Sequence, residues 1–324
     1  MALITTPADI KRHNSAVAAD MKLASLQSFI DDAINKHIIP GIGRKTYNQM
    51  IASPESLTDV QKGLYQLLQK SCVGFMLAYY SGSGSLQIND AGIFVLKSGN
   101  QLPASDKKLM TLRDDSFETG FNALELAINY MESYLADFPI YRDSPERRIN
   151  RSLLINCAAE FQSAGINIKG SSSVYHVLRT YQVDAERTYI NPLLGDELSA
   201  LIREVILNGS GTDIQKQLIK EVQRPVATFT MMEAIPWMAL SIDATGVYTL
   251  SNSVGGMAAN VETKATADSG RLQRAMFILQ AKGDQQLETL RKWIKKRKAE
   301  FSAVYTPPDL VDINGDLTSN VIFL

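Results

Sequence analysis

Apolar residues in the first part of the chain recur at helical spacing. Leucine, isoleucine and alanine return every three to four residues from Leu23 to Ile38, which predicts one apolar stripe on a helix. Pro40 and Gly43 follow this stripe. We expect them to end the helix, because glycine tolerates the backbone conformation that a helix end requires.

Three more helices and a hairpin are predicted after this first helix. A short helix covers about 45–52, and a helix over about 60–80 is apolar on most sides, which predicts a buried central position. Two β-prone runs, 86–88 and 92–96, flank an Asn-Asp pair and predict a hairpin. A final amphipathic helix is predicted over about 116–138.

The same pattern returns in the second half of the chain. Two stretches align without gaps: 26–43 over 178–195, and 61–94 over 215–248. Six of eighteen columns are identical in the first stretch and eight of thirty-four in the second. We therefore predict a tandem duplication, in which about 20–140 and 172–304 superpose as the same helical unit. The second copy should end in a long helix over about 270–303.

The duplication divides the chain into three parts. We assign 1–145 to the first helical repeat, 146–304 to the second and 305–324 to an extended C-terminal tail. A linker is predicted at 141–148, where Ser-Pro interrupts the pattern. Residues 251–267 are small and polar, which predicts a surface loop or arm.

Composition narrows the class of protein. The chain of 324 residues is 45% hydrophobic and 21% charged, which is typical of globular proteins. Its net charge of -1 argues against a nucleic-acid-binding protein that relies on an overall positive charge. Cys72 and Cys157 are too few for a disulfide framework. With no leader-like N-terminus and no run of eighteen apolar residues, we expect a soluble, unexported protein with no membrane partner.

Sequence motifs for catalysis are missing. There is no phosphate-binding loop, no dinucleotide fingerprint, no zinc-protease motif and no nucleophile elbow. His13, His37 and His176 lie far apart, and His37 aligns with Tyr189, which indicates a structural ring position. We expect no catalytic residue, no cofactor and no metal site.

A basic run ends the second repeat. Six cations crowd this region: Arg291, Lys292, Lys295, Lys296, Arg297 and Lys298. Leu287, Leu290, Ile294 and Phe301 form the inward stripe, so the cations point outward. Two interpretations stay open: a solvated face near a helix C-terminus, or a contact face for an acidic partner or for nucleic-acid phosphate.

The C-terminal tail carries a second candidate interface. Pro307-Pro308 forbids helix, yet the chain ends in four apolar residues. Such a tail has little core of its own, so we expect it to be extended and to pack on another subunit or another protein. The candidate interface residues are Tyr305, Val321, Ile322, Phe323 and Leu324.

Several of these segments together resemble a known group of proteins. They are the helix end Ala33–Gly43 with Tyr47 after it, the apolar third helix, the segment Ile88–Ile93, and Tyr134-Leu135 with Phe138. Over roughly 20–145 and 175–305 the chain is similar to uncharacterised tailed-phage and prophage proteins of Bacteroides-type hosts. It is more distantly similar to head–tail connector proteins, also called adaptor or head-completion proteins.

The resemblance implies a fold and a function. The fold would be mainly α, a tandem duplication of an adaptor-like helical unit with a small β-hairpin in each copy. The protein would be a virion structural subunit and not an enzyme. It would form a homo-oligomeric ring that joins the portal protein to tail or stopper proteins around the DNA channel, close to packaged DNA. Two alternatives stay open: another virion component, such as a tail-completion or capsid-vertex protein, and an enzyme or ligand-binding protein with a scattered site.

Overall fold

The computed structural model describes most of the chain. The described residues are 3–15, 17, 22–83, 86–89, 92–95, 105–238, 240–243, 246–249 and 269–301. Over these residues the protein is mainly helical, as the sequence predicts. None of the helices in this part of the chain combines the length and the apolarity needed to cross a bilayer.

The first unit contains six helices and one pair of strands. Its helices are α1 (Pro7–His13), α2 (Gln27–Ala33), α3 (Ile39–Ile42), α4 (Arg44–Ala52), α5 (Asp59–Ser83) and α6 (Asp106–Ser133). A π-helical turn, Ile34–Ile38, joins α2 to α3, and 3-10 turns cover Leu23–Ser25 and Pro54–Ser56. Strands β1 (Leu86–Asn89) and β2 (Gly92–Val95) pair antiparallel, with Leu86 opposite Val95.

Two short helices then lead into the second unit. They are α7 (Pro139–Arg142) and α8 (Pro145–Asn150). The second unit contains α9 (Ala158–Ser163), α10 (Ser172–Ala185), a π-helical turn at Glu186–Ile190, α11 (Asn191–Asn208), α12 (Asp213–Met238), α13 (Ser269–Lys296) and α14 (Lys298–Phe301). Strands β3 (Leu240–Asp243) and β4 (Gly246–Thr249) pair antiparallel between α12 and α13.

The two units repeat the same order of elements, so the tandem duplication predicted from the sequence is present in the structure. The closing helices α6 and α13 both have 28 residues, and the central helices α5 and α12 have 25 and 26. The two strand pairs share one register of four residue pairs.

The repeat begins earlier in each unit than the alignment predicts. The Leu3 carbonyl accepts a hydrogen bond from Gln69 on α5, and the Leu154 carbonyl accepts one from Gln223 on α12. Gln69 and Gln223 occupy the same column of the alignment. A short helix follows each carbonyl, α1 in the first unit and α9 in the second. Each unit therefore also includes a short segment that lies across its central helix.

The central and closing helices of each unit pack very closely. A Cβ atom on Gly74 of α5 would lie 2.6 Å from the backbone nitrogen of Gly120 on α6. In the second unit a Cβ atom on Gly283 of α13 would lie 2.5 Å from the Phe229 ring of α12. Gly120 and Gly283 hold the same place in their 28-residue helices. These glycines therefore set the distance between the two helices.

The helix that carries the first apolar stripe passes through proline and ends at glycine. The Ile39 amide donates to the Ile34 carbonyl, five residues back, and this wider turn precedes Pro40, which α3 includes. Our prediction that Pro40 ends the helix is therefore wrong. Gly43 follows α3 with φ 85°, and Gly195 interrupts α11 with φ 73° and ψ 167°, so the helix that begins each repeat breaks at this glycine in both units, as predicted.

Each π-helical turn presents one ring to the central helix. His37 stacks on Phe75, with ring centroids 3.8 Å apart and planes 10° apart. Tyr189 stacks on Phe229 in the second unit, at 4.1 Å and 8°. The two pairs occupy the same columns of the alignment. Because the geometry is the same while the ring differs, the position serves packing, as the alignment of His37 with Tyr189 predicts.

Both rings also make a hydrogen bond one turn further along the central helix. The His37 Nε2 atom lies 2.7 Å from the Tyr79 hydroxyl, and the Tyr189 hydroxyl donates to Glu233 at 2.8 Å. Burial lowers the pKa of His37 to about 4, and the nearby His176 and Lys36 side chains act in the same direction. His37 is therefore neutral at pH 7.

Two boundaries differ from the sequence prediction. Helix α6 begins at Asp106 and not near residue 116, because its first turns are mostly exposed and their apolar residues Leu109, Met110 and Leu112 do not form a stripe. It ends at Ser133, and Tyr134 leaves the helical conformation with φ −126° and ψ 42°. The turn that follows buries Phe138, which is only 1% exposed.

The segment predicted as a linker is structured. Helices α7 and α8 occupy most of it, and Tyr141 is fully buried in the core of the first unit. The side-chain amide of Asn150 donates to the Tyr141 hydroxyl at 3.3 Å. The predicted loop at 251–267 and the predicted tail at 305–324 lie outside the described residues.

Candidate assembly interface

The predicted basic face lies on the last turns of α13 and on α14. The inward residues Leu290, Ile294 and Phe301 are 2% exposed or less, as their spacing predicts. Lys292, Lys295, Lys296 and Lys298 are exposed, whereas Arg291 and Arg297 are half-buried.

Half of these cations have partners within α13. Arg291 and Lys292 pair with Glu288 at 2.9 and 3.5 Å, and the Arg297 guanidinium lies 4.2 Å from the centre of the Trp293 ring. Among the described residues, the ammonium groups of Lys295, Lys296 and Lys298 have no anionic partner within ion-pair distance. These three lysines are the part of the face that can bind an external anion.

The predicted interface residues of the tail are not among the residues that the structure describes. They are Tyr305, Val321, Ile322, Phe323 and Leu324.

The contact between the two units depends on acidic residues that the sequence analysis missed. Glu118, Glu125 and Glu132 lie seven residues apart on α6, which places them on one face of the helix. All three carboxylates bind groups of α8, α9 or the start of α10. The seven-residue spacing was the available signal, but a solvated helix face can show the same spacing.

Glu118 holds the N-terminus of α10. Its carboxylate accepts from the Ser171 hydroxyl at 2.6 Å, from the Ser172 amide at 3.2 Å and from the Ser173 hydroxyl. Burial opposes ionisation, but these hydrogen bonds outweigh it and lower the pKa of Glu118. A carboxylate at this position also interacts favourably with the helix dipole.

Glu125 holds the start of α9 in the same way. Its carboxylate accepts from the Ala158 amide at 3.0 Å. Burial raises the pKa of Glu125, although the Ala158 and Ser172 hydrogen bonds oppose this. Beside it, the rings of Phe121 and His176 lie 4.6 Å apart across the contact.

A buried ion pair closes the contact at its other end. The Arg147 guanidinium on α8 binds the Glu132 carboxylate at 3.0 Å, and the two side chains are 8% and 14% exposed. Arg147 also donates to the Leu207 carbonyl of α11. Asn150 donates to the Gly41 carbonyl at 2.7 Å. Residues of α8 therefore connect the first unit to the second.

Both cysteines of the chain are buried. Burial raises the pKa of Cys72 to about 12 and that of Cys157 to about 11, so both thiols stay protonated at neutral pH. Within the described residues, no cluster of three or more His, Cys, Asp or Glu could hold a metal ion. The cavity at the contact, beside Glu125 and His176, measures about 60 Å³. That volume is far below the ~300–1,000 Å³ of ordinary ligand sites, whereas an open cleft at the same contact, beside Leu126 and Gln162, measures about 680 Å³.

Comparison with known proteins gives one match. The model of a family of unknown function (DUF6712) matches residues 31–151 and again residues 190–311. The first match begins within α2 and the second at the last residue of the second π-helical turn, and both extend past the closing helix of their unit. No curated protein and no solved structure matches the chain significantly.

Proposed function

The chain belongs to the family of unknown function DUF6712, and we propose that it is a head–tail connector subunit of a tailed-phage virion. In this role, copies of the chain form a ring that joins the portal protein to tail or stopper proteins around the DNA channel. Each unit would be an adaptor-like helical module with its small hairpin. Its place is the virion, and its work is structural and not enzymatic.

The observation that carries this proposal is the contact between the two units. The first unit contributes the outer face of α6, whereas the second contributes α9 and the N-terminus of α10, and α8 joins the two units beside this contact. Two copies of one fold therefore meet through different surfaces. Such a contact is heterologous, and repeating it from copy to copy gives a closed ring or an open helix.

The second unit offers the equivalent face to a further copy. The outer face of α13 corresponds to that of α6, with Ala281, Glu288 and Lys295 at the positions of Glu118, Glu125 and Glu132. Ala281, Glu288 and Lys295 are exposed. The chain thus has an open surface at the place where the first unit binds the second.

The basic end of the second unit supports a position near the channel. Lys295, Lys296 and Lys298 have no anionic partner among the described residues. Exposed lysines at the end of a helix suit phosphate or an acidic protein surface. We propose that Lys298 at this end faces packaged DNA or an acidic surface of a neighbouring virion protein, and that the tail contributes to subunit contacts.

The test is the mass and shape of the purified full-length protein. Native mass spectrometry and negative-stain electron microscopy should show one discrete ring. Gln285→Trp, on the outer face of α13, should reduce the ring to monomers. Gln66→Trp is the matched control, because Gln66 is also an exposed glutamine on a long helix, α5 of the first unit, but does not lie on the face proposed to bind another copy. A compact monomer at all concentrations would contradict the proposal, as would equal effects of the two variants.

Binding to the partners separates the connector from other virion components. A connector ring should bind the purified portal protein in a fixed ratio. A ring that binds only tail proteins, or only capsid vertices, would instead indicate a tail-completion or capsid-vertex protein. A monomer stabilised by a small molecule would indicate a ligand-binding protein or an enzyme.

A further inference from the structure

Four large apolar side chains are exposed at one end of the second unit. Trp237 and Met238 end α12 and are 55% and 39% exposed, and Phe277 and Ile278 near the start of α13 are 72% and 56% exposed. Helices α5 and α6 run antiparallel, because Gly63 lies against Tyr130 whereas Gly74 lies against Gly120. Helices α12 and α13 repeat this pair and meet at the equivalent point, where Gly283 lies against Phe229 as Gly120 lies against Phe75. All four side chains therefore lie toward the same end of the helix pair, which we call the apolar end.

The duplication shows that the fold does not require apolar residues there. Phe277 and Ile278 correspond to Asp114 and Asp115 in α6, which are exposed. The same helix therefore forms with two carboxylates at these positions. Exposed apolar clusters on a protein surface usually mark an interaction site, so we expect another protein segment to bind the apolar end.

The opposite end of α13 is basic. Lys295 lies about 18 residues beyond Phe277, which is ~27 Å along the helix axis at 1.5 Å per residue. Lys296 is exposed beside it. Helix α13 thus presents an apolar group at one end and exposed ammonium groups at the other.

The C-terminal sequence has the complementary pattern. Residues 305–324 contain Asp309, Asp312 and Asp316, no Lys or Arg, and then the apolar run that includes Phe323. In an extended chain, Phe323 lies ~23 Å from Asp316 and ~36 Å from Asp312. These two lengths bracket the ~27 Å that separates the apolar and basic ends of α13. One extended segment can therefore reach both ends at once.

We propose that the surface formed by α13 and the apolar end of α12 binds residues 305–324 of a second copy of this chain. The apolar run covers Phe277 and Ile278, and the aspartates lie against Lys295 and Lys296. Pro307-Pro308 favours an extended chain that continues away from its own helix, which suits delivery to a neighbour. The identity of the neighbour rests on the ring proposed above.

Cross-linking between two full-length variants tests this directly. One chain carries Phe277→Cys and the other carries Phe323→Cys, and the two are mixed, assembled and treated with a short bifunctional maleimide. Cys72 and Cys157 are buried, so the wild-type thiols give little background. We expect a covalent pair of the two chains. Asp114→Cys replaces Phe277→Cys in the matched control, because it occupies the same position in the first unit, and it should cross-link only weakly.

Two further variants separate the parts of the proposal. Lys295→Glu with Lys296→Glu should reduce the cross-linking yield several-fold, because the aspartates lose their partners. A yield equal to that of the Asp114→Cys control overturns the proposed docking site. A chain with both Phe277→Cys and Phe323→Cys that cross-links only within itself, in an excess of wild-type chain, also overturns it. If the protein forms a ring but no cross-link, the docking of the tail on α13 is wrong and the ring proposal stands. If the protein stays monomeric and gives no cross-link, both the docking and the ring are wrong.

Discussion

A buried polar network in the second unit replaces apolar residues of the first, and this difference predicts a measurable non-additivity. Glu186 is 2% exposed; its carboxylate accepts from the Leu154 amide at 2.7 Å, from Gln182 at 2.8 Å and from Arg203 at 2.9 Å. At the offset of the alignment, the first unit has isoleucine at all three side-chain positions: Ile30, Ile34 and Ile51. The fold therefore accepts either solution.

The test replaces Gln182, Glu186 and Arg203 of the second unit by isoleucine, the residue found at all three positions of the first unit. Glu186→Ile alone leaves Arg203 and the Leu154 amide without their acceptor. Breaking a buried ion pair costs about 3–5 kcal/mol, and we expect about 3 kcal/mol because the Arg203 side chain is 33% exposed. The triple variant with Gln182→Ile and Arg203→Ile leaves the buried Leu154 amide unpaired, at about 1–3 kcal/mol. The Ile155 carbonyl loses Gln182 but keeps the Tyr175 hydroxyl, and the Ser152 carbonyl that loses Arg203 belongs to an exposed residue. The triple variant should regain about 1 kcal/mol or more relative to Glu186→Ile.

The assay is urea unfolding of the full-length protein followed by circular dichroism. The midpoint should fall most for Glu186→Ile and recover in the triple variant, with an unchanged slope. Gln182→Ile and Arg203→Ile measured singly complete the cycle. Losses that add up across the three substitutions would refute the reasoning, because they would show that the isoleucines of the first unit cannot replace the network.

Three other predictions concern the glycines at the helix breaks, the His37 ring and the C-terminal tail. Gly43→Ala and Gly195→Ala should each lower the free energy of unfolding by about 1–3 kcal/mol, because both backbones have φ and ψ values that favour glycine. The two losses should be similar, since the new Cβ at position 43 meets only the movable end of Glu146; unequal denaturation midpoints would contradict this. Because burial lowers the pKa of His37 to about 4, folding stability should fall as pH falls from about 6.5 toward 4, and His37→Tyr should reduce that loss in melting curves. Deletion of 306–324 should leave the melting temperature of the monomer nearly unchanged and abolish assembly; an unfolded product would place the tail in the core.

The sequence predicted those parts of the fold that depend on periodicity and backbone geometry. The apolar stripe of the central helices, the glycines that end the first long helix and the repeat itself are visible in one sequence, because each imposes a residue type at a fixed spacing. The first turns of α6 were missed because their residues are exposed and show no stripe. Pro40 was misread because the π-helical turn before it cannot be recognised from residue types.

The contact between the units was harder to predict because its residues are polar. Glu118, Glu125 and Glu132 look like solvated charges until the second unit is placed against them. Their common spacing alone does not distinguish them from surface residues. The basic face was predicted correctly as an outward surface, but its partner is not determined by spacing, because an exposed lysine has the same pattern whether it contacts solvent, phosphate or protein.

The comparison of the two units separates what maintains the fold from what can serve assembly. The ring stack, the positive-φ glycine and the close helix pair are kept in both units, although His37 in one is Tyr189 in the other. The outward residues of α6 and α13 differ strongly, with Glu132 replaced by Lys295 and Asp114 by Phe277. Since these outward differences cannot be required by a fold that both units share, they are the positions where binding to other chains can be selected. In the first unit that face already binds the second unit, so of these two faces it is the face of α13 that remains exposed.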